Sequence, residues 1–191
     1  MNSLKTSRRY NDTLLGLLKR YSPSGQESEA AQWLVDHMIT LGYDDAKTDD
    51  VGNAVGQVGS GPIHIVLLGH IDTVPGETKV RAEGDLVYGR GAVDAKGPLA
   101  AFTAAALTGA SHSNLTVTVI GAVREETDSA GAIFVRDEYR SPDYLIIGEP
   151  SRWDQIAVGY KGSVWYDLTV ERFIAHTATN EKTASELVLG A

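Results

Sequence analysis

The residues of this chain whose types and spacing could support hydrolysis are one histidine and five acids: His70, Asp72, Asp94, Glu125, Glu126 and Glu149. The chain has no cysteine, which excludes thiolate nucleophiles, disulfides and thiolate metal ligands. One imidazole with several carboxylates suits Zn2+, Co2+ or Mn2+. Acids gathered in one place repel one another unless a cation neutralises them. Asp72 stands two residues from His70, close enough to accept a hydrogen bond from the ring nitrogen turned away from a metal, which fixes the tautomer. Glu125 and Glu126 are adjacent and point apart in extended chain, so one can ligate while the other serves as a base. His-x-Asp alone is commonplace, and a Glu-Glu pair is most often a solvated patch. What distinguishes these residues is where they all fall.

The elements that must position them read as alternating strands and helices. Asp12 to Lys19 carries Leu14, Leu15, Leu17 and Leu18, a short amphipathic helix that Pro23 breaks. Ser24-Gly-Gln-Glu27 matches a capping box opening the next helix. That helix places Ala30, Leu34, Met38 and Leu41 on one stripe and stops at Gly42. Ala54 to Val58 is a short β-segment. Ile63 to Leu68 is an apolar run typical of a strand buried on both faces. Gly97-Pro98 opens a helix reaching about Leu107. Leu115 to Ala122 and Tyr144 to Ile147 are further β-branched or apolar runs. This alternation predicts an α/β sheet with parallel members. His70 and Asp72 follow the first long run, Glu125 and Glu126 the second, Glu149 the third. Asp94 sits in the loop Gly89-Arg-Gly-Ala-Val-Asp94-Ala-Lys-Gly97. Ligands of open α/β sheets bind beyond the carboxyl ends of strands, so three strands deliver a histidine and acids to one edge. The glycine-rich loop has neither dinucleotide nor Walker spacing, which argues against a nucleotide-binding domain.

Four stretches together resemble the zinc-dependent deacylases and carboxypeptidases: Gly69-His-Ile-Asp-Thr-Val-Pro75, Gly89 to Gly97, Glu125-Glu126 and Gly148-Glu-Pro-Ser151. That family includes acetylornithine deacetylase, succinyl-diaminopimelate desuccinylase and glutamate carboxypeptidase. Tyr21-Ser-Pro-Ser-Gly25 and the wording after Ala92 are most similar to the branch that releases lysine or ornithine from an amino-group carrier protein in lysine and arginine biosynthesis. The resemblance implies a three-layer zinc-exopeptidase-like sheet with helices on both faces, over residues 1–155. From 156 to 191 it implies the incomplete beginning of a small α+β lid or dimerisation domain. It implies two divalent metal ions, Zn2+ or Co2+. His70 and Glu149 would bind one ion, Glu126 the other, and Asp94 would bridge them. Asp72 would orient His70, and Glu125 would be the catalytic base. His176, in Arg172-Phe-Ile-Ala-His176-Thr, would contact the substrate carbonyl from the lid. His37, His64 and His112 receive no role. Family members are longer, and a further metal-binding histidine is expected beyond Ala191. The chain is therefore expected to be C-terminally truncated, and the full-length form a homodimer. The substrate would be an N-acylated amino acid or the loaded carrier protein. The alternatives are an acetylornithine deacetylase, a desuccinylase, a dipeptidase, or an inactive piece that binds only metal or peptide.

Composition agrees with a soluble metalloenzyme. The 191 residues are 42% hydrophobic, enough for a packed core, with a net charge of -8 and a pI near 5.0. An acidic chain lacks the basic face that phosphate neutralisation needs, so no nucleic-acid partner is expected. No apolar run approaches the ~18 residues of a membrane span, and the first residues do not form a secretory signal. A cytoplasmic location follows. Val164 to Val170 alternates apolar and polar residues as a half-exposed strand, and Thr183 to Leu189 is helical in pattern.

Overall fold

The structure, a computed structural model, describes residues 2–109, 113–152, 154–159, 161–162, 164, 166–172 and 182–190. The chain divides into two compact units, Met1–Asp154 and Gln155–Ala191. None of its described helices is long and apolar enough to cross a membrane.

The first unit runs α1 (Asn2–Leu18), α2 (Ser28–Leu41), β1 (Asp45–Thr48), β2 (Ala54–Val58), β3 (Ile63–His70), β4 (Arg81–Glu83), β5 (Leu86–Tyr88), α3 (Lys96–Gly109), β6 (Leu115–Ala122), α4 (Ala130–Glu138) and β7 (Tyr144–Ile147). Five strands form a mixed sheet in the order β1-β2-β6-β3-β7, and β4 and β5 make a separate hairpin. β3 lies between β6 and β7 and is parallel to both, while β1 and β2 join antiparallel. The β3–β6 ladder runs in register from Ile63 opposite Leu115 to His70 opposite Ala122.

Side chains alternate across this sheet, as the two-residue period requires. On one face Val58, Leu67, Val117 and Val119 pack with Leu17, Leu34, Met38 and Leu99 from α1, α2 and α3. On the other, Val55, Val66 and Ile120 meet Val135 of α4 and Tyr139 just after it. The sheet is thus sandwiched between helices, the arrangement expected. α2 ends where anticipated. Gly42 is left-handed at φ 96°, and its N–H bonds the Ile39 carbonyl at 3.0 Å.

Three expectations differ from the structure. α1 begins at Asn2 rather than Asp12. The leucine stripe marks only the part of the helix that packs on the core, and the polar turns before it extend the same helix. Ser24 and Glu27 do not form a capping box. α2 starts at Ser28 with Glu27 as its N-cap residue and no side-chain cap bond, because both side chains have partners elsewhere. In the second unit, the described residues of 164–170 form no strand. An alternating pattern defines a face, but a ladder also needs a neighbouring strand, and the described residues of this unit supply none. The one regular element among its described residues is α5 (Ala184–Leu189), where Thr183 Oγ accepts the Glu186 N–H at 3.3 Å and Glu186 accepts the Thr183 N–H at 2.7 Å.

Candidate metal centre

The last residues of β3, β6 and β7 bring the candidate side chains to one edge. His70 ends β3, buried to 1% exposure. Its Nδ1–H faces Asp72, with the backbone carbonyl at 3.1 Å and Oδ1 at 3.3 Å. Nε2 therefore points the other way, towards the acids. It lies 3.1 Å from Asp94 Oδ1, 3.8 Å from Glu125 Oε2 and 4.0 Å from Glu149 Oε2. Potential ligand atoms of His70, Asp94 and Glu149 lie within 4.8 Å of one another, and so do those of His70, Glu125 and Glu126. The two groups meet at His70.

Each is delivered by a specific piece of backbone. After β6 the chain turns sharply at Arg124, a left-handed residue at φ 62°, whose carbonyl accepts the N–H groups of Thr127 and Ser129 at 3.3 and 2.8 Å. Only that reversal brings two successive glutamates back over the sheet edge. Below it, Asn53 is fully buried and accepts the Val123 N–H at 3.0 Å while donating to Asp49 and to the Gly131 carbonyl. Gly148 packs against Phe102, where a Cβ would lie 2.5 Å from the ring, and its N–H bonds the Leu68 carbonyl at 2.8 Å. Glu149 is aimed from there. Asp94 ends a loop closed by the Lys96 N–H on the Gly91 carbonyl at 2.9 Å, and the Asp94–Ala95 peptide is cis. Lys96 itself is buried and donates to the Leu17 and Arg20 carbonyls at 3.1 and 2.8 Å, tying this loop to the end of α1.

The electrostatics are those of an acid cluster gathered on one imidazole. Burial works against a charged His70, but the Asp72 hydrogen bond and the nearby Glu149 and Glu125 lift it to about 9. Burial would raise Asp72, yet its bonds to His70, Ser24 and the Glu126 and Glu125 amides hold it below the usual carboxylate range. Glu126 is pushed up by burial and then by Asp94, and Glu149 is pushed up by burial and by the neighbouring acids. No ion pair among the described residues sets an Arg or Lys on Asp94, Glu125, Glu126 or Glu149. Among the described residues, a protonated His70 is thus the one cation paired with these acids. A ring nitrogen with its partner nitrogen anchored, facing uncompensated carboxylates, is a donor set that fits divalent ions.

Two cavities open at the residues of this cluster. One of about 490 Å3 is lined by Thr73, Arg81, Tyr88, Arg90, Asp94 and Glu126. The other, of about 710 Å3, is lined by Tyr10, Pro98, Phe102, Ile147 and Glu149 among others. Asp94 and Glu126 thus line the first cavity and Glu149 the second, while Asp94 is 56% and Glu125 42% exposed. His64 lies in β3 and bonds Thr118, and His37 lies in α2 and bonds Thr13. His112 and His176 lie outside the described residues. The sequence reading passed over Asn53 and Lys96 and took Ser24 and Glu27 for a helix cap, and all four hold the site from behind.

The family model for peptidase family M20/M25/M40 matches residues 66–189. The LysW-lysine hydrolase of Deinococcus radiodurans is 45% identical over 88% of this chain and 48% of its own length. A provisionally named LysW-lysine/LysW-ornithine hydrolase of Thermococcus kodakarensis is 48% identical over 78% of this chain and 41% of its own. A family M20 metallo-carboxypeptidase from Sulfolobus solfataricus shares the fold with a TM-score of 0.60 at 22% identity, over 73% of this chain and 37% of that one. The chain spans about half the length of the curated relatives it matches.

Proposed function

The chain belongs to peptidase family M20/M25/M40, and from that premise we propose that it is the metal-binding part of a cytoplasmic amide hydrolase that releases lysine or ornithine from an amino-group carrier protein. The observation that carries this reading is the convergence of one anchored imidazole and four acids beyond three adjacent strands. The names of the Deinococcus and Thermococcus relatives support the substrate class. Residues 1–155 would belong to the catalytic domain. Residues 156–191 would begin the smaller lid and dimerisation domain of a homodimer, with His176 contacting the substrate carbonyl.

His70 and Glu149 would hold one divalent ion and Glu126 a second, with Asp94 shared between them. Zn2+ suits this donor set best, and Co2+ also fits. Bound there, the ions would polarise the scissile carbonyl and acidify water to near neutral pH. The chain's own residues do the rest. Asp72 keeps the proton on His70 Nδ1 and so presents the Nε2 lone pair. Glu125, at the open rim, takes the proton from the attacking water and returns it to the departing amine nitrogen as the C–N bond breaks. Water and the amide thus leave as an acid on the carrier and a free amino acid.

Glu125→Gln in the full-length protein tests the reading. The variant should keep its metal by mass spectrometry but lose lysine release from the loaded carrier about 10²–10⁴-fold. Turnover near that of the unaltered protein overturns Glu125 as the base. Faster release from acetylornithine, a succinylated amino acid or a dipeptide assigns the substrate to another member of the family.

A further inference from the structure

The segment Ser22–Glu27 lies outside the sheet, yet it is bonded to two of the three strand exits that carry the candidate site, those of β3 and β6. Ser22 Oγ–H donates to the Ile71 carbonyl at 2.8 Å, and the Thr73 N–H donates to the Ser22 carbonyl at 3.0 Å. The Ser24 N–H returns to the Thr73 carbonyl at 3.3 Å, so the segment runs beside residues 71–73 like one more short strand. From this position Ser24 Oγ–H donates to Asp72 Oδ2 at 2.6 Å. The same carboxylate accepts the Glu125 N–H on Oδ1 and the Glu126 N–H on Oδ2, both at 3.1 Å. Glu27, 6% exposed, accepts the N–H groups of Gly25 and Arg124 on a single oxygen, at 2.8 and 3.1 Å.

We propose that Ser24 and Glu27 are positioning residues for the hydrolysis, holding the His70–Asp72 pair and the Glu125–Glu126 turn in one fixed relation; the inference rests on the amide-hydrolase reading. Asp72 is wholly buried and its carboxylate torsion is intrinsically soft. Ser24 supplies the shortest of its bonds, which sets the plane in which the other oxygen faces His70 Nδ1. Glu27 acts one step further along. It anchors the amide of Arg124, the left-handed residue that decides where the next two side chains point. Neither residue reaches the reacting atoms. Their effect passes through Asp72 and the turn, and a purely structural role would lower stability without loosening the ions.

The test uses the full-length protein, Zn2+ as the probe and release to a chelator as the first readout. Ser24→Ala should weaken Zn2+ retention about 10–100-fold, the range for residues that orient metal ligands. Its kcat for lysine release from the loaded carrier should fall by a similar factor, with KM nearly unchanged. Ser24→Thr keeps the hydroxyl and should restore most of both losses, and Glu27→Ala, which removes the accepting oxygen, should shift both in the same direction as Ser24→Ala. Ser24→Ala with unaltered Zn2+ retention and kcat overturns this inference and leaves the hydrolase reading standing. So does a loss confined to the thermal midpoint, or Ser24→Thr as impaired as Ser24→Ala. An unaltered protein that takes up no divalent ion overturns both.

Discussion

Asn53→Ala removes the buried side chain that fastens the end of β6 to α4, and its cost can be worked from three hydrogen bonds. Asn53 donates to Asp49 Oδ2 at 2.9 Å and to the Gly131 carbonyl at 3.1 Å, and accepts from the Val123 N–H at 3.0 Å. Each bond contributes about 1 kcal/mol net, and a buried group stranded without a partner costs a further ~1–3 kcal/mol. Close packing limits rescue by water, since a Cβ at Gly131 would already lie 2.3 Å from Asn53 Oδ1 and 2.6 Å from the Val123 nitrogen. The sum is ~4 kcal/mol, near the top of the range for single substitutions. In a folding unit of this size that is a drop of ~8–16 °C in Tm. Asn53→Asp keeps the acceptor for Val123 but loses both donations and sets a second carboxylate beside Asp49, so it should be destabilised by nearly as much. Urea titration followed by far-ultraviolet circular dichroism measures both. A loss below ~1 kcal/mol for Asn53→Ala refutes the reasoning. So does Asn53→Asp as stable as the unaltered chain, because the two donations would then contribute nothing.

Two other outcomes follow from the packing. Thr13 donates its hydroxyl proton to the Arg9 carbonyl, so His37 must donate from Nε2, stacked on Trp33. Burial holds its pKa below the ordinary 6.5. The unfolded chain therefore takes up a proton that the folded one resists, and stability is full above pH ~6.5 and declines as pH falls through the folded value. His37→Gln can still donate to Thr13 and should flatten that decline in urea midpoints; an unchanged slope refutes it. Gly97→Ala places a Cβ 2.5 Å from the Ala92 carbonyl, in the loop that carries Asp94. It should cost about 1–3 kcal/mol and weaken Zn2+ retention in chelator competition, and retention equal to the unaltered protein refutes it.

The three strands that carry the site were legible because they are nearly uninterrupted apolar runs, although the last of them, β7, lies at the sheet edge with its residues exposed. Ile63–Leu68, Leu115–Ala122 and Tyr144–Ile147 each coincide with a strand, and β3 merely continues two residues further to His70. The acids after them could be read as neighbours because parallel strands share a direction, which puts their carboxyl ends at one edge. β1 was hidden by its composition, Asp-Ala-Lys-Thr, since an edge strand with mostly exposed side chains carries no apolar signal. The β4–β5 hairpin is three residues on each arm and exposed or half-exposed, too short for periodicity to register. Ser24 and Glu27 were misread for a different reason. Their spacing satisfies a local rule, but their partners Asp72 and Arg124 are 48 and 97 residues away, and a short pattern holds no information on that distance. The left-handed turn at Arg124 is likewise imposed by its surroundings rather than by its residue type.

The unbroken ladder from Ile63–Leu115 to His70–Ala122 makes residue count a working part of the site. One residue added to or taken from either strand would slide its end by about 3.3 Å and swing every later side chain to the opposite face. The imidazole would then look into the helices while the glutamates kept their post, and no rotamer could reunite them. Insertions in the exposed stretch from Gly76 to Lys79 face no such gauge. The length of β3 and β6 is therefore as much an ingredient of the centre as the identity of His70 or Glu126.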